Sequence, residues 1–260
     1  MSRGLWTRET VALLTLAALA PLAAFWHWQG GADAVFRFSL TLLVTAIWHL
    51  AFMLTRAQPP SLSAVVTALA IAMLAPGDLG LFQLTLGISF GVVMGELVFG
   101  GWGRNVVNPA AVAVAFLGFG FPSAPWPVFE APLVWAALPA AALGLAFGVM
   151  PAAVLVSATV LGASAAALDV LPASLLNAAA VVLVLLVADP VTSATTTPGR
   201  LCQGALLIAL LVLFGAAWQG AAPAQMAVAA ALLTSLAAPL LDEIALAYWI
   251  HRRRRLHGRT

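Results

Sequence analysis

Charge is what this sequence has least of. Only 8% of its 260 residues are Asp, Glu, Lys or Arg, against about 25% in soluble domains. Lysine is absent, and all eleven basic residues are arginine. A water-soluble globule of this size could not cover its surface with so few charges. The single cysteine, Cys202, permits no internal disulfide and no multi-cysteine metal or iron–sulfur centre, and no metal site is expected. Ten-residue segments of alternating hydrophobicity are missing, which excludes a porin-like barrel. Also missing is a Rossmann glycine motif following a strand, so the chain cannot oxidise NADH by itself. The dense basic run, Arg252–Arg255, closes an apolar segment. It reads as a positive-inside anchor touching anionic lipid, and no nucleic-acid partner is expected.

What is present is apolar: 63% of the residues are hydrophobic and the mean hydropathy is +1.05. Apolar stretches run over 9–28, 34–54, 61–75, 79–99, 106–121, 132–149, 151–168, 174–188, 201–218 and 224–250. They predict an all-α polytopic membrane protein with about ten transmembrane helices, each needing about 20 residues, and leave no length for a soluble domain. The first stretch follows Arg3 and Arg8 and can also be read as an export signal, but Trp26 and Trp28 close it like interface anchors. With ten spans both termini share a side, and ten of the eleven arginines fall there. Arg37 alone joins Asp33, Asp78, Glu130 and Asp169 on the other. The arginine-rich side is cytoplasmic, which predicts a multi-pass bacterial-type inner (plasma) membrane protein with both termini inside.

Two spans are short. Residues 61–75 and 174–188 hold fifteen residues each, open on Ser-Leu and run uncharged toward Pro76 and Pro190. They are third in each half of five, and because five is odd the halves are inverted. The expected organisation is a first membrane repeat over 1–121, a Pro-rich exported linker over 122–131, a second repeat over 132–250 and a basic cytoplasmic tail over 251–260. Short helices at matching positions of an inverted repeat point to a central site.

Polar residues concentrate in two loops, both on the cytoplasmic side of this topology. Gly100, Gly101 and Gly103 let backbone approach a ligand, and Asn105 and Asn108 carry amide donors and acceptors. Pro109 opens a helix whose free N–H groups suit anionic or carbonyl oxygens. The same string also fits a plain glycine turn with an Asn cap. The second loop, residues 189–200, gathers Asp189, five hydroxyl residues that include Thr192, and Arg200. It could line a polar ligand or simply be solvated. Glu96 precedes the glycine loop and could face the same cavity. Asp242, with Glu243, lies about two turns inside the last span, where an acid is costly and functional by default; either could also pair with an arginine. His49 reads as an interface histidine.

The strings FGGWGRNVVNPA at 99–110 and ADPVTSATTTPGR at 188–200 resemble signatures of the NqrB component of the sodium-pumping NADH:quinone oxidoreductase. They equally resemble those of the RnfD component of the Rnf ferredoxin:NAD oxidoreductase. The tail AAPLLDE at 237–243 is similar as well, and the likeness runs from about residue 61 to 250. The resemblance implies a membrane-embedded electron-transfer subunit of a multisubunit complex, at most part of an enzyme. It implies a non-covalent flavin (riboflavin or FMN) near the glycine–asparagine loop, with quinone as a further ligand and ion movement as an open option. By position, Asn105, Asn108 and Pro109 would contact the flavin, with Gly100 and Gly101 near a quinone or cavity wall. Asp189 and Thr192 would shape the region from the second half. The likeness departs at Gly95, where the family has a basic residue, and at 122–131, where it has a long exported loop with a flavinylated threonine. That segment has no threonine, so covalent FMN is not expected on this shortened member. The competing reading is a small-solute or ion transporter on the same inverted-repeat fold.

Overall fold

A computed structural model describes residues 7–56 and 61–257. Arg3 and Arg259, assigned above to the cytoplasmic side, lie outside the described residues, as do 1–6 of the first expected repeat and 258–260 of the tail. The described residues form helices and no strand: α1 (Arg8–Arg56), α2 (Ser63–Leu74), α3 (Leu81–Val92), α4 (Pro109–Gly120), α5 (Ala131–Ala146), α6 (Ala152–Ala167), α7 (Ala173–Val182), α8 (Thr197–Ala217) and α9 (Pro223–His257). Two π-helical turns, Val93–Leu97 and Leu183–Val187, continue α3 and α7. Three helices, α1, α8 and α9, are long and apolar enough to cross a membrane, in keeping with an integral membrane protein.

As one straight rod the 49 residues of α1 would span about 74 Å, more than twice a hydrocarbon core of about 30 Å. The helix instead breaks at Gly31, whose backbone (φ 54, ψ −135) is open only to glycine. The rings of His27 and Phe38 lie 5.4 Å apart across the break, although eleven residues of straight helix would separate them by about 16 Å. Glu9 at the start accepts from the Leu62 N–H at 3.0 Å. The element is therefore a hairpin, and its arms correspond to the first two expected spans.

The short helices sit inside. Ten of the twelve residues of α2 and every residue of the Leu183–Val187 turn are buried. The carbonyls that end α2 lack helix partners, and Arg37 reaches across to supply them, donating from Nη2 to Ala75 O and, at 2.6 Å, to Pro76 O. Around this centre α1 packs on α2 and α5, α3 on α4, α8 on α6 and α9, and α4 and α7 on α9. The α3–α4 contact is a small-residue seam. A Cβ at Gly91 would stand 2.6 Å from Ala113 Cα, and one at Gly95 2.8 Å from Pro109 Cα, while Gly87 abuts the end of Leu117.

One expectation needs correction. Shortness is not confined to the third and eighth spans, because α4 is also twelve residues long. Asn108 caps its N-terminus, and residues 106–108 belong to the preceding loop. The first residues of the basic tail are helical, since α9 continues through His257. The fourth and eighth spans do not end as α-helix; each closes in a π turn that delivers the chain into one of the two polar loops.

Candidate functional site

Both polar loops meet at one end of the helix assembly. Together with the α5–α6 connection they line an open cavity of about 690 Å³. The glycine loop contributes Trp102, Gly103 and Arg104, the second loop Pro190, Val191, Ser193 and Arg200, and the connection Gly148–Ala152. Arg8 and Val11 on the first turn of α1 complete the wall. Among the described residues three arginines and no carboxylate line it. Arg8, Arg104 and Arg200 thus line a single space.

The glycine loop can fold this way because Gly100, Gly101 and Gly103 take φ of +105, +88 and +94, which side chains rarely adopt. Gly101 N–H donates to the Glu96 carbonyl at 3.1 Å, tying the loop to the π turn. Asn105 braces it internally: Oδ1 accepts from Gly103 N–H at 3.1 Å and Nδ2 donates to Val107 O at 3.2 Å. Asn108 Oδ1 accepts from the N–H groups of Ala110 (2.9 Å) and Ala111 (3.3 Å), so it caps α4 ahead of Pro109. Both amides therefore hold the loop in shape, and of the three glycines only Gly103 faces the cavity. A Cβ there would meet open space.

The second loop is organised from within and from α9. Asp189 Oδ2 accepts from Thr192 Oγ at 2.7 Å and from Thr192 N–H at 3.2 Å. Burial pushes the Asp189 carboxyl above the usual carboxylate range, and these hydrogen bonds, with one from Val191 N–H, pull back against it. Asp189 and Asn108 flank a gap of about 20 Å³ with Ser63 and Thr67 of α2, room for about one water. Thr192 is buried behind Asp189, while Ser193 reaches the large cavity. Arg200 Nε donates to Ala194 O at 2.8 Å.

Among the described residues Asp242 meets hydroxyl residues and no arginine. Its carboxylate accepts from Thr195 N–H and Oγ (2.7 and 2.9 Å) and from Thr196 N–H and Oγ (2.9 and 2.6 Å). Thr196 Oγ in turn accepts from Gly199 N–H at 3.1 Å and caps α8. An acid of the last helix thus clamps the second loop. Glu96 does not itself line the large cavity but lies behind its wall, within electrostatic reach of Arg8. It is fully buried, 3.8 Å from His49 Nε2, and accepts from Ser63 Oγ at 3.4 Å; its other oxygen has no partner among the described residues.

Sequence reasoning found both loops but not Arg8, Arg104, Trp102 or the residues 148–152 as wall. The side-sorting of arginines was the signal for the first two. For 148–152, an apolar connection between spans, there was none.

Comparison with known proteins bears on the first half of the chain. Residues 5–143 match the model of the NQR2, RnfD, RnfE family, a stretch that holds the glycine loop but not residues 188–200 or 237–243. Relatives include the NqrB component of the Na(+)-translocating NADH-quinone reductase of Stutzerimonas stutzeri, 36% identical over 126 residues, 46% of this chain and 30% of that protein. The corresponding proteins of Yersinia pestis (37% over 100 residues; 38% and 23%) and Pseudomonas paraeruginosa (40% over 95; 36% and 24%) are similar. The match spans less than a third of the length of these relatives. Because the family model covers more than half of the chain, the chain belongs to the NQR2, RnfD, RnfE family.

Proposed function

We propose that the protein is an electron-transfer subunit of an Nqr- or Rnf-like membrane complex and holds a non-covalent flavin between its two polar loops. The observation that carries this reading is the convergence of both loops on one cavity of about 690 Å³, within the range of about 300–1,000 Å³ usual for ligand sites. The residues present fit the group. Trp102 offers an aromatic wall, Gly103 leaves backbone open to a planar ring, and Arg8 Nε on the wall is buried without a partner among the described residues. A bound flavin supplies one- and two-electron transfer, and the protein supplies position and electrostatics. Here Asn105 and Asn108 fix the loop that presents Gly103. The Asp242 clamp fixes the loop that presents Ser193 and Arg200, and the apolar helices keep bulk water to one side. NADH oxidation, quinone reduction and any ion coupling belong to partner subunits or to their joint assembly.

The finer fold is part of the same proposal: ten crossings in two inverted repeats, termini cytoplasmic. The hairpin arms of α1 with α2–α4 make one five-helix set and α5–α9 the other. Packing supports it, since α3 lies on α4 and α2 on α4 as α8 lies on α9 and α7 on α9. The transporter alternative draws only on the buried short helices, which the flavin reading also uses as a scaffold.

Flavin retention is the test. Asn105→Leu and Asn108→Leu each remove a buried amide that braces the loop, where unpaired partners cost about 1–3 kcal/mol. Retention should fall by about five- to a hundred-fold. Full flavin content in both variants would remove the loop from the site.

A further inference from the structure

We infer that Glu96 and His49 form a buried proton-binding site behind the cavity wall, one that takes up a proton when negative charge enters the cavity. The site itself stands without the flavin reading; its link to electron transfer rests on that reading. Glu96 lies on the first π turn, fully buried, where Gly95 abuts Pro109 and fixes the turn against α4. His49 belongs to the second arm of α1. Its neighbour Trp48 donates from Nε1 to Ser89 Oγ of α3 at 2.7 Å, which holds that arm against the helix leading to Glu96. His49 Nε2 and Glu96 Oε1 stand 3.8 Å apart. Neither Nε2 nor the second carboxyl oxygen makes a hydrogen bond of ordinary geometry among the described residues. The Trp102 N–H, part of the cavity wall, also bears on the carboxylate.

As a bare carboxylate beside a neutral imidazole this pair is one proton short. A carboxylate taken out of water is costly unless it is paired and hydrogen-bonded, and Ser63 Oγ at 3.4 Å is a distant donor. One added proton removes the deficit in either position: on Glu96 it leaves a neutral pair, on His49 it makes an ion pair. Charge on the surrounding elements does not replace it. Arg8 acts on both groups but forms no ion pair with either among the described residues, and Asp189 of the second loop adds negative charge. Ser61 and Ser63 bring hydroxyls, and α4, packed on the π turn, has no titratable residue. A proton fits better than a metal ion, because Arg8 already brings positive charge and hard cations need about six oxygen ligands. Arg8 also lines the cavity. Negative charge arriving beside it weakens its hold on the Glu96 carboxylate, and one proton taken from solution compensates. Ser63 borders the gap of about 20 Å³, where about one water can pass that proton on.

Full-length protein, stripped of ligand and held in nanodiscs, is carried from alkaline to acid solution while its infrared carboxyl bands are recorded. The native spectrum should contain one pH-dependent component that Glu96→Gln removes, His49→Gln shifts and Asp189→Asn keeps. A spectrum unchanged by Glu96→Gln, or indifferent to His49→Gln, overturns the site. The series is repeated with Na⁺ exchanged for K⁺ at constant pH. If Na⁺ reproduces the change that acid produces, the site holds a metal ion and the inference is wrong. Flavin-loaded protein is then reduced with dithionite in weakly buffered solution containing a pH indicator. Native protein should take up about one proton more than Glu96→Gln. Equal uptake separates the site from the cavity and overturns the coupling. A protein that takes up no flavin fails the flavin reading instead, and the infrared series still decides the proton site.

Discussion

Replacing Gly91 by alanine adds one methyl group at the closest point of the α3–α4 seam. Its Cβ would stand 2.6 Å from both Cα and N of Ala113. Ordinary contact between such atoms is about 3.5–4.0 Å, and the obstacle is backbone, which cannot rotate aside. The helices must separate by about 1 Å along a seam that also holds Gly95 against Pro109. Overpacking of this kind costs about 1–3 kcal/mol. For a chain of this size each kcal/mol lowers Tm by about 2–4 °C, so a fall of about 2–12 °C is expected. Two controls bracket the mechanism. Gly87→Ala meets only the branched end of Leu117, which can change rotamer, and should cost less. Gly120→Ala meets nothing within 4 Å and should be neutral or slightly stabilising. Because α3 delivers the glycine loop and α4 receives it, Gly91→Ala should also lower flavin content. Thermal unfolding in detergent, followed by tryptophan fluorescence, reads the order. If Gly91→Ala melts with Gly120→Ala, the seam is not close-packed and the reasoning fails.

Asp242→Ala withdraws the acceptor from four hydrogen bonds and should raise hydrogen exchange across 195–199 while leaving α9 protected; unchanged exchange would mean the clamp holds nothing. With Cys202 replaced by serine, single cysteines at 56, 104 and 200 should label from the cytoplasmic side and those at 78 and 130 from the other. Labelling of 104 and 130 from one side would remove the ten-crossing topology. A denaturing gel under ultraviolet light should show no fluorescent band for this chain, because the segments that the proposed topology puts on the exported side, 29–33, 76–79, 122–131, 169–173 and 219–223, contain no threonine. A band, or an intact mass raised by one FMN, would overturn that expectation and the orientation beneath it.

Apolar run lengths were enough to mark an all-helical chain, and the sorting of arginines drew attention to Arg8, Arg104 and Arg200. They could not say that these three share a cavity, because convergence depends on how α1, α6 and α8 pack, and each is apolar over most of its surface. The length of α4 was misjudged for a local reason: hydropathy counts Val106 and Val107 as span, while the Asn108 cap decides where the helix starts. Asn105 and Asn108 were legible as important but not in kind. An amide that braces its own loop and one that faces a ligand look alike in sequence, and only the Gly103, Val107, Ala110 and Ala111 partners separate them. Asp242 stood out as an acid within an apolar span, yet its partners are hydroxyl residues some 47 positions away in the chain, a distance no spacing rule bridges.

The most direct measurement is the absorption spectrum of the protein purified gently from membranes. The two bands of an oxidised flavin are expected, bleached by dithionite, with the flavin released into the supernatant on denaturation. A colourless, folded and monodisperse protein that takes up neither FMN nor riboflavin would contradict the flavin reading, and would turn the shared cavity over to a transported solute.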